Sequence, residues 1–469
     1  MSEDLVKQLD SIFKPKSVAF IGATANPTKW GFRAIQRALM SGYCGAVYPI
    51  NPKGGELFGL KVYRDVNEVP DDIDLAVFTV PAANMPQVMK SCVKKGIKGG
   101  VIISADFSET GEEGRALEDE TVRIARSGGM RFIGPNGMGI WTSAAKLNIA
   151  LEPDPTPGPL AFISQSGTYG GGLAQIAKIK GYGLSKFISI GNQADLEASD
   201  LLEYMAQDPD TKVIILYMEG FRNGRRFFEI ARNVVKKKPI LIYKGGSTSV
   251  GARATMSHTA SIAGADEIFD AMCRQAGILR AQEVEHLFVM AEALISDILP
   301  PGNRVGIIGS GGQGVVAVDS CAFLGLEVPQ LDEKSRLRMK ENLPPHAPIP
   351  NNPVDFAGGA RTAVDEARMA EELAKLDYID GVITNVPITH FRGRNIAAAV
   401  KNGVEGTEIL SSIPEKYGKP VIAMRWRGWG DAAIISMLRN ANIPMYESPE
   451  NCARAMYALV KYSKIKGRG

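Results

Sequence analysis

SVAFIGA, Ser17–Ala23, is a short apolar run that stops at a glycine, and the residues after it keep an amphipathic spacing as far as about Ser41. That pattern predicts a strand, a tight turn and a helix. The alternation continues through AVYPINP (Ala46–Pro52), DLAVFTVP (Asp74–Pro81), a helix from about Met85 to Lys95, GGVIISA (Gly99–Ala105) and RFIGPNG (Arg131–Gly137). Short apolar strands separated by helices build βαβ units on a parallel sheet, so the fold class is α/β. Pro-rich segments at Pro153–Pro159 and Leu299–Gly302 interrupt the pattern and read as linkers. With 469 residues the chain has room for about three domains, expected at 1–150, 151–299 and 300–469.

Composition excludes several classes. Hydrophobic residues at 45%, charged residues at 22% and 50 glycines rule out disordered and fibrous chains. Lys and Arg total 54 against 51 Asp and Glu, a net charge of +3, so neither nucleic acid nor a membrane surface is an expected partner. The start, MSEDLVKQLD, is polar and acidic, and no later apolar run reaches the roughly 18 residues of a membrane span; a cytoplasmic protein is expected. Cys44, Cys92, Cys273, Cys321 and Cys452 lie far apart without a Cys-x-x-Cys pair, which predicts reduced core thiols and no structural metal.

The second and third stretches repeat one another. FISQSGTYG (Phe162–Gly170) and GIIGSGGQG (Gly306–Gly314) align without gaps at Ser-Gly-x-x-Gly, each strand, glycine turn and helix start. Helix N-termini carry unpaired amides and the positive end of the macrodipole, which attract anions. Two such turns suggest two helix ends facing one phosphate; ordinary tight βα turns would read the same way.

After the first strand, Gly22-Ala23-Thr24-Ala25-Asn26-Pro27 stands where a dinucleotide fold carries Gly-x-Gly-x-x-Gly, without the second and third glycines. The second strand ends on Asn51-Pro52-Lys53 instead of the acid that binds an NAD ribose. Lysine there suits a phosphate. An NAD-dependent dehydrogenase is therefore disfavoured.

Of four histidines, His258 has unusual surroundings: GARATMSHTASIAGAD, Gly251–Asp266, is too rich in small residues to pack a core and suits a close-fitting loop. A structural or solvated histidine is the alternative. His286, in HLFVMAEAL, reads as a structural helix residue. A nucleophilic histidine needs a carboxylate to fix its tautomer. Glu219 ends the apolar run VIILYMEG, where a strand terminus would place it at the ligand-binding edge of a parallel sheet.

Taken together, FIGATANPTKWG, VYPINPK, DLAVFTVPA, GVIISADF, FIGPNGMG, FISQSGTYG, ISIGNQADLEASDLLEYMAQDP, YMEGFRNGRRF, GARATMSHTASIAGAD, GSGGQGV and NPVD resemble, in order and from about Phe13 to Tyr462, the α subunits of ADP-forming acyl-CoA synthetases, relatives of succinyl-CoA synthetase. The resemblance implies a Rossmann-like CoA-binding domain followed by two flavodoxin-like doubly wound domains. It places coenzyme A on Gly22, Ala23, Thr24, Asn26, Pro27 and Lys29, on Asn51, Pro52 and Lys53, and on Val80, Pro81, Ile103, Ser104 and Asn136. It makes His258 the phosphorylated histidine, Glu219 its supporting carboxylate, and Ser166, Gly167, Gly311, Gly312, Gln313 and Gly314 the phosphate turns. It further implies ATP or ADP and Mg2+ bound mainly by an ATP-grasp β subunit, an α2β2 heterotetramer, and a small carboxylic acid as substrate. A non-catalytic CoA sensor of the same architecture is the alternative, and His258 with Glu219 argues against it.

The chain departs from the family pattern at Asp106 and Ala260, where glycine is usual, and at Gln313, where proline is. Asn385–His390 replaces a Thr-Pro-Gln segment, and MRWRGWG (Met424–Gly430) is unusual. None of the three single-residue departures removes a catalytic group, and the two segment changes bear on acyl specificity.

Overall fold

The structure, a computed structural model, describes residues 3–251, 253, 266–357, 362–387, 396–425 and 431–467. The chain folds into two compact units, Met1–Gln282 and Glu283–Gly469.

The first unit holds two sheets. In one, β1 (Ser17–Ile21), β2 (Ala46–Ile50), β5 (Leu75–Phe78), β6 (Gly99–Ile102) and β7 (Arg131–Ile133) are all parallel in the order β2-β1-β5-β6-β7. A hairpin of β3 (Gly55–Leu57) and β4 (Leu60–Val62) stands apart. Both β1 and β5 are buried at every residue, as strands covered on both faces must be, which is why they read as unbroken apolar runs. The chain leaves β1 for β2 on one side and returns to β5 on the other, so the strand order reverses between β1 and β5. Ligands of open parallel sheets bind at the carboxyl ends of the strands flanking such a reversal.

The other sheet runs β14-β13-β12-β10-β11-β8-β9. Its parallel part consists of β10 (Pro157–Ser164), β11 (Leu184–Ser189), β12 (Val213–Met218), β13 (Ile240–Lys244) and β14 (Leu279–Arg280). Here the order reverses between β10 and β12, which end on Ser164 and Met218. The antiparallel β8 (Gly139–Thr142) and β9 (Leu147–Asn148) extend it beyond β11. Because β8 follows β7 directly, the segment Gly134–Met138 passes from the edge of one sheet to the other, tied by Asn136 N–H to the Ser104 carbonyl (2.8 Å) and Met138 N–H to Ser189 Oγ (2.8 Å). The two sheets are also clamped by Asp195, whose fully buried carboxylate takes Arg126 Nε at 2.7 Å, Arg131 Nε at 2.9 Å and the Phe132 amide at 2.9 Å.

In the second unit β15 (Val305–Ile307), β16 (Gly381–Asn385), β17 (Val421–Met424) and β18 (Met445–Tyr446) form a parallel sheet over a core that includes Met339, Phe356, Leu373 and Leu410. Single bridges add Glu327 beside Arg304 and Val354 beside Ile308. The NPVD segment serves this sheet: Asn352 accepts from the Ile307 amide at 2.9 Å and donates to the Val305 carbonyl at 2.8 Å.

Two expectations need correction. Pro157–Pro159, read as linker, opens β10, and Leu299–Gly302 lies inside the second unit; proline is tolerated at the first residue of a strand. Cys44 is exposed in the turn after the helix Trp30–Met40, so only the other four thiols are core residues.

Candidate functional site

The turn after β1 is held by backbone geometry. Gly22 adopts φ +97°, and the amides of Gly22 and Ala23 both donate to the Ile50 carbonyl at the end of β2 (3.0 and 3.1 Å). Asn51 joins the same two strand ends, donating to the Ala23 carbonyl at 2.8 Å and accepting from the Lys53 amide at 2.9 Å. Asn26 shapes the rest of the turn by accepting from the Thr28 amide and hydroxyl at 3.0 and 2.8 Å. The helix Trp30–Met40 follows without a side-chain cap on its first turn. Its second residue, Gly31, presses on the strand: a Cβ there would stand 2.1 Å from the Gly22 carbonyl oxygen. Gly31 thus performs the close helix–strand approach that the third glycine of a dinucleotide turn provides. Asn26, Pro27, Lys29, Pro52 and Lys53 are exposed around this turn, Gly22 and Thr24 are half-buried and Ala23 is buried.

The neighbouring strand ends complete the edge. Thr79, following β5, donates through its hydroxyl to the Ile21 carbonyl at 3.1 Å. Val80 and Pro81 follow it, and the Val80 carbonyl accepts from Ser104 Oγ at 2.5 Å. Asn136, beyond β7, sits at φ +57° in the segment that crosses to the second sheet.

That crossing brings the carboxyl edges of both sheets to one cleft of about 380 Å3. Trp30, Thr79, Ile103, Ser104 and Asn136 line it from the first sheet, and Gln165, Ser166, Gly167 and Thr168 from the second, with Gly191 and Asn192 between. Ser166 caps the helix Gly167–Lys180, its hydroxyl accepting from the Tyr169 amide at 3.4 Å. The first amides of that helix therefore open on the cleft, as an anion site requires. A Cβ on Gly167 would meet Met138 at 2.9 Å, so the close fit of the turn against the crossing segment also excludes larger residues.

Glu219 stands immediately after β12, next to the cleft turn. Its amide and that of Gly220 donate to the side-chain oxygen of Gln165 at 2.9 and 3.1 Å. The carboxylate is buried, and the Tyr217 hydroxyl donates to Oε1 at 3.4 Å. Burial first, and then the charge of Glu219, push the Tyr217 phenol well above its ordinary range, so it remains a donor. Lys244 ends the adjacent β13, buried, with its Nζ on the Gly246 carbonyl at 3.1 Å and 3.8 Å from Asp266, which Arg280 holds at 2.7 Å. Burial lowers the Lys244 ammonium, while Arg280 holds Asp266 ionised below the usual carboxylate range despite its own burial. His258 and Ala260 lie outside the described residues. His286 is a half-buried residue of the helix Val284–Ala293, and burial lowers its pKa.

In the second unit, Gly311 (φ +57°) precedes the helix Gly312–Phe323, which has no side-chain cap. Gly314 packs on Pro353, where a Cβ would come to 3.2 Å, and Gln313 is half-buried. A proline at 313 would have no amide proton, so this departure adds a donor at the open helix end. Asn385, at the end of β16, donates to Glu366 at 2.6 Å, and burial pushes that carboxyl up to about 7. Residues 388–390 and 426–430 of the two divergent segments lie outside the described residues.

The first unit thus brings Ile103, Ser104, Asn136, Ser166 and Gly167 to a shared cleft, with Glu219 beside it, and keeps Lys53 and the Gly22 turn on the adjoining edge. Sequence reasoning missed Trp30, Thr79, Gln165 and Asn192. Gln165 was detectable, since it lies inside the repeated FISQSG turn where the second copy has glycine.

Residues 16–142 match a profile described as a CoA binding domain, and residues 157–294 one described as a succinyl-CoA ligase like flavodoxin domain. The α subunit of ADP-forming acetate–CoA ligase II from Pyrococcus furiosus is 40% identical over 462 residues, spanning 98% of this chain and 99% of its own. The ADP-forming acetate–CoA ligase of Methanocaldococcus jannaschii is 38% identical over 461 residues, spanning 98% of this chain and 64% of its own length. A structure of the dinucleotide-forming acetyl-coenzyme A synthetase 1 of Ca. Korarchaeum cryptofilum, in complex with phosphate and ADP, matches with a TM-score of 0.86 at 35% identity, covering 98% of this chain and 97% of that one. With this likeness running through the glycine turns, the crossing segment and the Glu219 strand alike, the chain belongs to the family of ADP-forming acetate–CoA ligase α subunits.

Proposed function

We propose that the chain is the α subunit of an ADP-forming acyl-CoA synthetase, reversibly converting acyl-CoA, ADP and phosphate to carboxylic acid, CoA and ATP. The observation that carries the reading is the single cleft that joins the strand ends of the CoA-binding sheet to the open helix end at Ser166–Gly167. The Gly22 turn, the uncapped helix at Trp30 and the exposed Lys29 and Lys53 suit the phosphates of CoA. Ser104 and Asn136 then flank the thioester end in the cleft.

Phosphate on the Ser166–Gly167 amides attacks the thioester carbonyl; the Gly311–Gly314 turn is read as a second phosphate-binding turn. The C–S bond breaks, CoA leaves as the thiol, and acyl phosphate forms, with helix-end donors stabilising the oxyanion. The imidazole of His258 takes the phosphoryl group and the carboxylic acid departs. Glu219 fixes the tautomer and balances the charge of the phosphohistidine. ADP accepts the group on a nucleotide site of an ATP-grasp β subunit, in an α2β2 assembly. Mg2+ is proposed to accompany the nucleotide on that partner; among the described residues no cluster of three His, Cys, Asp or Glu could hold a metal ion. Among the same residues no helix is long and apolar enough to cross a membrane. The division into a CoA-binding domain, 1–150, and two flavodoxin-like domains, 151–299 and 300–469, is proposed as part of this reading, as is a cytoplasmic location; the last domain boundary lies after the division of the two compact units at Gln282.

The test is the phosphohistidine itself. The complex, incubated with ATP and Mg2+, is expected to carry acid-labile phosphate on His258 by mass spectrometry. His258→Ala is expected to abolish the label and turnover, and Glu219→Gln to slow labelling by about 10² or more while sparing CoA binding. A label elsewhere, or undiminished turnover in His258→Ala, would refute the reading.

A further inference from the structure

Asn136 in the cleft is connected to Arg222, three residues beyond Glu219, by polar contacts that neither strand pairing nor the proposed chemistry explains. Asn136 Nδ2 donates to Asn192 Oδ1 at 3.3 Å, and Asn192 Nδ2 donates to Glu118 Oε2 at 3.0 Å. Glu118 is 1% exposed on the helix Glu112–Ser127 and also accepts from Ser108 Oγ at 2.8 Å. Its other oxygen pairs with Arg222 Nη2, and Arg222 Nε donates back to the Asn192 carbonyl at 2.9 Å. Arg222 is three residues beyond Glu219, and the chain between them is pinned at its start by Gln165.

A buried carboxylate on a helix costs stability unless it is paired, and a leucine would fill such a position at lower cost. A role limited to clamping the two sheets together is already met elsewhere, by Asp195 with Arg126 and Arg131. Glu118 joins, through one carboxylate, the Asn192 amide, which also donates to Glu109 Oε2 at 2.5 Å, and the guanidinium that anchors the turn after Glu219. That guanidinium is 40% exposed and, without the charge, would keep only its bond to the Asn192 carbonyl.

We propose that Glu118 is a positioning residue that, through Asn192 and Arg222, holds the thioester end of the cleft and the Glu219 carboxylate in register for phosphoryl transfer. The inference rests on the acyl-CoA synthetase reading above. It predicts a loss in rate without a loss in binding.

The experiment uses the full chain with a panel of 32P-labelled acyl phosphates (acetyl, isobutyryl and benzoyl), which deliver phosphate to the histidine without a nucleotide. For Glu118→Gln, phosphohistidine formation is expected to slow at least about tenfold, with the KM for acyl phosphate and the CoA dissociation constant changed by less than about twofold. Arg222→Gln is expected to slow it similarly, and the double variant to be no slower than either single one, since both break one link. Wild-type rates in Glu118→Gln, or losses that multiply in the double variant, would overturn the proposal while the labelled wild type left the function standing. An unlabelled wild type would overturn the function and this inference with it. Should Glu118→Gln fail to fold, Arg222→Lys, which keeps the charge at the exposed end, is expected to slow labelling less than Arg222→Gln; equal rates for those two would also overturn it.

Discussion

Asp106 shows how one substitution can depart from a family pattern and still keep its geometry. The residue has φ +73°, in the left-handed region that glycine occupies freely and other L-residues enter at a cost. Aspartate is among the residues that tolerate it, and here the strained amide donates to Glu109 Oε1 at 2.8 Å. Because the side chain is exposed, Asp106→Gly removes strain and little else, partly offset by the greater freedom of glycine in the unfolded chain. The expected result is a gain of about 0.5 kcal/mol, a rise in Tm of roughly 1 °C by calorimetry, with turnover unchanged. A lower Tm would mean that the aspartate makes a stabilising contact beyond its backbone. At this scale the sequence shows the departure but not its sign, since φ is set by the turn between Ser104 and Phe107. Gln165 and Asn192 were hidden for a related reason. Their partners lie 54 and 74 residues away, at Glu219 and Glu118, and no local spacing encodes such contacts.

Among elements, the strands buried on both faces were legible because they are continuous apolar runs, and the glycine turns because a parallel sheet needs them between strand and helix. The antiparallel extension β8–β9 and the start of β10 were not. β10 begins on exposed Pro157, so its first residues carry the composition of a linker. The contact between β1 and the helix Trp30–Met40 was likewise masked, because Gly31 lies nine residues after Gly22, outside the spacing of the familiar fingerprint. Its importance follows from what an added methyl would meet: the Gly22 carbonyl oxygen at 2.1 Å and Thr79 Oγ1 at 3.1 Å, the first being backbone at a strand end. Gly31→Ala must push the helix away from the sheet, at a cost of about 1–3 kcal/mol, and should weaken CoA binding by displacing the first amides of the helix. Gly172, on the helix Gly167–Lys180, has nothing within 4 Å of an added Cβ and is the control. Gly172→Ala is expected to stabilise by up to about 1 kcal/mol through helix propensity alone. Urea unfolding and CoA calorimetry on both variants check this; equal effects at the two glycines would contradict the close-packing role of Gly31.

For the whole molecule the question is where the nucleotide would meet the proposed phosphohistidine. The first unit contains the CoA-binding sheet and the Ser166–Gly167 turn, and the second the Gly311–Gly314 turn, so each βα turn with a phosphate signature already has a proposed task. The sequence has no Gly-x-x-x-x-Gly-Lys-Ser/Thr motif. The relatives come in two lengths: the Pyrococcus furiosus α subunit is spanned to 99%, whereas the Methanocaldococcus jannaschii ligase, with no subunit in its name, is spanned to 64%. The longer protein therefore has about a third of its length with no counterpart in these 469 residues, enough for a further domain or two. A nucleotide-binding part carried on the same chain in one relative and on a separate β subunit in the other would account for both lengths. The purified chain is accordingly expected to bind CoA and to accept phosphate from an acyl phosphate, yet to form no acyl-CoA from ATP, CoA and acid. Adding an ATP-grasp β subunit should restore the full reaction, with two copies of each chain by sedimentation. Acyl-CoA formation by the lone chain at the rate of the reconstituted complex would place the nucleotide site within these two units and undo the assignment of both phosphate turns.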